Sequence, residues 1–144
     1  MEVQMGFREM SAWVMGVMLL LLGMFYGKSI YSATKVAGAF PPPDIWLLSV
    51  ATIILVVGAI AAHGIAAALS PHDADAPEDE RDRLVVWRAG NVSSWVLGFG
   101  VFAGLWLFYI QGDGNALFHI LIGRVIAAPF SVYSLQMFYY PRGF

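Results

Sequence analysis

Four stretches of the chain are apolar and long enough to cross a lipid bilayer, and this feature constrains the fold more than any other. A membrane helix needs about 20 predominantly apolar residues to cross roughly 30 Å of hydrocarbon. The segments between the stretches are Pro-rich, charged or Gly-rich, which is typical of turns. The sequence therefore predicts an all-α, polytopic membrane protein, a single transmembrane domain over residues 1–144 with four spans at about 10–30, 45–69, 85–110 and 116–140.

The composition agrees with lipid as the surrounding solvent. Hydrophobic residues make up 59% of the chain and charged residues 12%, whereas a soluble domain has about 25% charged residues. The net charge of −2 argues against direct nucleic-acid binding, which needs a basic face to neutralise phosphates. The chain has no cysteine, which excludes a disulfide scaffold.

The distribution of Lys and Arg predicts the orientation of the spans. One side of the predicted bundle has two basic residues, Lys28 and Lys35, and the other has five, Arg8, Arg81, Arg83, Arg88 and Arg142. Cytoplasmic loops carry the excess of Lys and Arg. We therefore expect a multi-pass protein of the bacterial inner membrane, with both termini and the 70–84 loop in the cytoplasm. Ala37-Gly38-Ala39 resembles a signal cleavage site but lies too far beyond the apolar run, so we expect the first span to be retained.

An internal similarity links the first and third spans. The segment 11–16 reads SAWVMG and the segment 93–98 reads SSWVLG, and both spans then end in a Phe-Tyr pair. Two interpretations stay open. The first is a tandem duplication of a two-helix hairpin, and the second is chance similarity between two apolar helices.

Pairs of small residues four positions apart give each span a candidate contact face, because small side chains let membrane helices approach closely. Packing of the bundle itself is the main interpretation, and homo-oligomer formation is the alternative. The small pairs are Gly23 and Gly27, Gly58 and Ala62, Gly64 and Ala68, Gly100 and Gly104, and Gly123 and Ala127.

Pro129 lies within the fourth span and predicts a kink in that helix.

Arg124 is the residue that a bilayer should most strongly reject, because a mid-membrane Arg costs about 2.5–3.5 kcal/mol on insertion scales. Such a residue usually faces the bundle interior or a wet cavity. Arg124, His119 and Asp44 are therefore the candidate ligand-binding residues, with an anionic group or lipid held in an intramembrane cavity. The alternative is that Arg124 snorkels toward the interface.

A second candidate site is a polar cluster at the cytoplasmic end of the bundle. It comprises Glu9, His63, Arg88 and Asn91, and a Glu9–Arg88 contact would be its centre. Ordinary hydrogen bonding between helices is the competing interpretation.

The charged segment between the second and third spans is a candidate docking surface for a cytoplasmic partner. Its charged residues can also be explained as the N-terminal turn of a helix, where acidic side chains complement the helix dipole. The predicted docking residues are Asp79, Glu80, Arg81, Asp82 and Arg83.

This Asp-Glu-Arg-Asp-Arg-Leu run at 79–84, together with the Tyr-Pro-Arg-Gly tail at 140–143, resembles a group of small uncharacterised bacterial four-helix integral membrane proteins. These have a DERDRL-type cytoplasmic segment and a Tyr-Arg-Arg-Gly-like C-terminal tail. Pro141 replaces the first Arg of that tail. The resemblance implies no activity. It implies that a small helix-turn-helix regulator is a candidate partner for the charged segment.

Taken together, the residues predict a non-enzymatic membrane protein, acting as a sensor, anchor or accessory subunit that contacts a cytoplasmic partner through residues 72–83. The alternative is a small transporter or lipid-binding bundle that uses Arg124. We expect neither a metal nor another cofactor, because the spans contain no convergent acids, no cysteine and no pair of histidines at one depth.

Overall fold

The structure is a computed structural model that describes residues 7–69 and 80–140. In these two ranges the chain folds into four α-helices, all long and apolar enough to cross a membrane. They are α1 (Phe7–Ala37), α2 (Ile45–Leu69), α3 (Glu80–Gln111) and α4 (Gly114–Tyr139). The prediction of four apolar helices in an all-α protein is confirmed.

The helix ends are set by local hydrogen bonds. Gly38 and Gly112 follow α1 and α3 with φ of +72° and +69°, a left-handed conformation that glycine adopts without a Cβ penalty. Asp44 and Asp113 precede α2 and α4, and their carboxylates accept backbone N–H groups of the first turn, as N-cap residues do. Short loops therefore join α1 to α2 and α3 to α4.

Two helices extend beyond the membrane spans predicted for them. The first span was expected to end near residue 30, but α1 continues to Ala37 because residues 31–37 contain neither glycine nor proline. The third span was expected to enter the membrane near residue 85, with its helix beginning earlier, in the charged segment. The structure agrees with that interpretation, because residues 80–84 form the first turns of α3.

The helices pack in the spatial order α2, α1, α4, α3, so that α1 and α4 form the centre. The buried side of α1 contains Ala12, Leu19 and Tyr26, which lie on one helical stripe. Large apolar side chains point outward instead, for example Ile60 (69% exposed) and Phe99 (67% exposed). An apolar exterior of this extent is what a lipid environment would cover.

Candidate functional site

His119 of α4 lies at the contact between α4, α1 and the loop that follows α1. Its Nδ1 is 2.6 Å from the hydroxyl of Tyr26, and its Nε2 is 2.8 Å from the carbonyl oxygen of Pro41. His119 is 7% exposed and Tyr26 is 6% exposed. A buried polar group needs hydrogen-bond partners, and both ring nitrogens of this histidine have one.

Aromatic rings surround the imidazole on several sides. Phe40 stacks on it at a centroid distance of 6.3 Å, and Phe118 meets it edge to face at 5.5 Å. The ring of Tyr26 is tilted against it at 5.9 Å. His119 therefore joins the loop after α1 to α4 through the hydrogen bond to Pro41 and the ring contact with Phe40, and it joins α1 to α4 through Tyr26.

A groove of about 570 Å³ runs between α1 and α4, and His119 lies on its wall. Its size falls within the range of about 300–1,000 Å³ that is usual for small-molecule sites. Tyr26, Thr34 and His119 supply polar atoms toward the loop end. The rest of the wall is mostly apolar and is formed by Leu19, Leu20, Gly23, Met24, Gly27, Ile30, Tyr31, Phe40, Ile120, Gly123, Ile126, Ala127 and Phe130.

Two glycines keep the groove open. A Cβ placed on Gly27 or on Gly123 would meet no atom within 4 Å, although both residues lie on the groove wall. Their spacing in the sequence predicted close helix contacts at these glycines. That interpretation fits Gly104, whose Cβ would lie 3.2 Å from Ile120, but not Gly27 or Gly123, where the missing side chains leave free space.

The hydroxyl of Thr34 adds an unsatisfied polar atom to the groove. Its Oγ1 is buried and has no hydrogen-bond partner within the described part of the chain, and Thr34 lines the groove. A buried hydroxyl without a partner costs free energy. A ligand or water molecule that reached it would recover that cost.

The predicted ligand site of Arg124, His119 and Asp44 does not assemble. Asp44 accepts the backbone N–H of Leu47 at 3.0 Å as the N-cap of α2. Arg124 is exposed and lies across α3 against Gly100, away from the groove wall. His119 and Arg124 are five residues apart on one helix, or about 140° apart around its axis. His119 is therefore the member of the predicted set that lines the groove.

The predicted polar cluster is also divided between helices. Nε2 of His63 is 2.6 Å from Oγ of Ser11, which joins α2 to α1, and its Nδ1 is 2.7 Å from the carbonyl of Ala59. Asn91 is exposed on α3, at the other end of the row of helices.

No hydrogen bond or ion pair joins the described side chains of Glu9 and Arg88, so the expected centre of the cluster is wrong. At this end of the bundle an ion pair joins Arg8 of α1 to Asp82 of α3 instead.

The charged segment at the start of α3 has two different faces. Asp82 pairs with Arg8 of α1, and Nη2 of Arg81 donates to the carbonyl of Tyr140 at 2.6 Å. Glu80 and Arg83 are exposed. Asp79 lies outside the described residues. Part of the predicted docking segment therefore holds the first turn of α3 against α1 and the end of α4.

The sequence predicted an intramembrane cavity but placed it beside Arg124, and it predicted neither Tyr26 nor Thr34 as a ligand-binding residue. The available signal was a tyrosine within the first span, between Gly23 and Gly27, but only the packing of α1 on α4 brings Tyr26 to His119. Over residues 7–69 and 80–140, no group of three or more His, Asp or Glu side chains is placed to hold a metal ion.

The chain matches no protein-family model, and no match was found among curated proteins or among solved structures. The function must therefore be inferred from the groove and the residues that line it.

Proposed function

We propose that this protein is a membrane-embedded binding protein that holds a lipid-like amphiphile in the groove between α1 and α4. The observation that carries this proposal is the polarity of the groove, which has buried polar atoms at its loop end and an apolar wall along the rest. Ligand pockets combine a mostly apolar lining with a few placed polar groups in the same way.

The length of the groove matches an extended chain. On α1 the groove wall runs from Leu19 to Thr34, which is about 22 Å at 1.5 Å per residue, and the part between Tyr26 and Leu19 is about 10 Å long. The polar end lies beside the loop after α1, where a membrane boundary is expected, and the apolar end lies deeper along the helices. An amphiphile bound with its head at Tyr26 would have its tail in the same direction as the surrounding lipid.

This proposal keeps the lipid-binding alternative from the sequence and assigns it to other residues. Arg124 is replaced by Tyr26, His119 and Thr34 as the polar part of the site. The proposed role is binding rather than catalysis, since Tyr26 and His119 are hydrogen-bonded to each other and His119 to a loop carbonyl.

We place the protein in the bacterial inner membrane with both termini in the cytoplasm, on the strength of the Lys and Arg distribution. The loop end of the groove would then face the periplasm.

Because the chain has no cysteine, single cysteines can report this orientation. Val36→Cys, at a position that is 91% exposed, should react with an impermeant maleimide in intact cells. Glu80→Cys should react only after lysis, and the reverse pattern would contradict this orientation.

A role as an anchor or accessory subunit is a second candidate. It is supported by the exposure of two charged residues at the start of α3, Glu80 and Arg83. A cytoplasmic partner such as a small helix-turn-helix regulator would contact the exposed pair. The variant Glu80→Lys/Arg83→Glu should lose a co-purifying partner, and an unchanged set of partners would contradict this role.

Filling the groove tests the binding proposal directly. In Gly123→Leu the new side chain would enter open space and occupy the groove, and leucine also has the higher helix propensity. The control is Gly98→Leu, because a Cβ there also meets nothing within 4 Å and Gly98 is exposed on α3.

The measurement uses a monoglyceride with a diazirine in its chain, in phosphatidylcholine nanodiscs. We expect Gly123→Leu to reduce photolabelling of α1 and α4 peptides roughly tenfold, which corresponds to about 1.4 kcal/mol of binding free energy. The Gly98→Leu variant should label like the unmodified protein. Equal labelling of the two variants would contradict the proposal.

A further inference from the structure

The hydrogen bonds of His119 determine which polar group the groove can accept. The carbonyl oxygen of Pro41 can only accept a hydrogen bond, so Nε2 of His119, at 2.8 Å, is the donor. In the neutral ring Nδ1 is then an acceptor. The hydroxyl of Tyr26, at 2.6 Å from Nδ1, therefore donates its proton to the histidine.

The surroundings of the ring offer no counter-ion to a charged imidazole. His119 is 7% exposed, and the described residues that line the groove include neither Asp nor Glu. A buried charge without a counter-ion is strongly disfavoured. Tyr26 thus donates its single proton to His119 and keeps only acceptor capacity on its oxygen.

Over residues 7–69 and 80–140, the side chains on the groove wall also include neither Lys nor Arg. Lys35 is near its mouth, but its ammonium group lies over the ring of Tyr31 at 5.4 Å, and Lys35 is not among the lining residues. A phosphate or carboxylate head would therefore have no counter-charge inside the groove, and it would face the acceptor oxygen of Tyr26.

We infer that the groove selects a neutral lipid whose hydroxyl group donates a hydrogen bond to Oη of Tyr26. This inference rests on the proposed function and specifies the chemical class of its ligand: a long apolar chain with an alcohol head, such as a glyceride or a long-chain alcohol. The tail lies along Leu19, Ile126 and Phe130.

Three photoreactive probes with the same diazirine-bearing chain test this inference, and they differ only in the head group, which is an alcohol, its methyl ether or a carboxylate. In nanodiscs of phosphatidylcholine we expect the alcohol to label the groove about tenfold more than the ether, the difference that one hydrogen bond in an apolar site can supply. The carboxylate should label no more than the ether.

Two variants connect the preference to the proton of Tyr26. In His119→Leu the Tyr26 hydroxyl loses its acceptor and becomes free to donate, so labelling by the ether should rise and the alcohol-to-ether ratio should approach one. In Tyr26→Phe/His119→Leu both polar groups are gone, and the two probes should label equally and weakly. A merely structural role of His119 would weaken both probes in parallel and leave their ratio unchanged.

The outcomes separate this inference from the proposed function. If alcohol and ether label the unmodified protein equally while Gly123→Leu blocks both, the groove binds amphiphiles but the inferred selectivity is wrong. Preferred labelling by the carboxylate would also overturn it. If no probe labels the groove, or if Gly123→Leu has no effect, the proposed function itself fails.

Discussion

The side chain of Arg124 lies directly against Gly100, so that a Cβ at residue 100 would overlap Cγ, Cδ and Nε of the arginine. Gly100 is buried although it lies on α3, a helix with many exposed side chains. The contact gives the aliphatic part of Arg124 a place on a neighbouring helix. It explains how an arginine ten residues into α4 is accommodated without entering the groove.

The first prediction concerns Gly100→Ala. Alanine is favoured over glycine in a helix by about 1 kcal/mol, but the overlap with Arg124 should cost about 1–3 kcal/mol. We therefore expect unchanged or reduced stability for the single variant. In an Arg124→Ala background the overlap is absent, so the same change should stabilise the protein.

The measurement is a double-mutant cycle of unfolding free energies in mixed micelles. Gly98→Ala is the matched control, because a Cβ there meets nothing within 4 Å, and it should stabilise the protein in both backgrounds. If Gly100→Ala has the same effect with and without Arg124, the contact does not form.

The second prediction concerns the hydrogen bond between Tyr26 and His119. Replacing His119 with Phe keeps an aromatic ring but leaves the buried Tyr26 hydroxyl without its partner, which should cost about 1–3 kcal/mol. The double variant Tyr26→Phe/His119→Phe removes both polar groups and should be less destabilised than the sum of the single variants. Additive losses in thermal unfolding would show that the two residues do not interact.

The third prediction concerns the contact between α3 and α4 next to the proline. Oγ of Ser93 donates to the carbonyl of Ala128 at 2.8 Å, and Oγ of Ser131 donates to the same oxygen at 2.6 Å. Hydrogen bonds between membrane helices contribute about 0.6 kcal/mol on average and up to about 1.7 kcal/mol. We expect Ser93→Ala to lower the unfolding free energy by an amount in this range.

Ser94→Ala is the control for Ser93→Ala, because Ser94 is the next residue and donates to Gly90 of its own helix. Its replacement should change the unfolding free energy by less than the change at Ser93. A larger loss at Ser94 than at Ser93 would be evidence against the Ser93 contact as the one that joins the helices.

Much of the fold could be predicted because apolar length and turn residues act locally. The bounds of α2 agree with the predicted span at 45–69, since Asp44 is both the end of a Pro-rich turn and the N-cap. The end of α1 could not be predicted from hydropathy, because polar residues after residue 30 mark a departure from lipid but do not end a helix. Helix ends depend on caps, as at Gly38.

The site was only partly predictable, and helical phase explains the difference. His119 was selected because it is a polar residue in an apolar span, and it does line the groove. Arg124 was selected for the same reason, but its position faces α3. Tyr26 and Pro41 become partners of His119 only through the packing of α1 and its loop on α4, and no sequence pattern specifies that contact.

The last prediction concerns the ion pair of Arg8 and Asp82, which joins the first turns of α1 and α3. Their side chains are 28% and 24% exposed, so water and salt should screen part of the attraction. The coupling free energy between the two residues should therefore be about 1 kcal/mol. Arg8→Asp and Asp82→Arg should each destabilise the protein, because each brings like charges together. The charge swap Arg8→Asp/Asp82→Arg should recover most of the loss, and the recovery should shrink as ionic strength rises in unfolding measurements. A swap no more stable than the worse single variant would exclude this pairing.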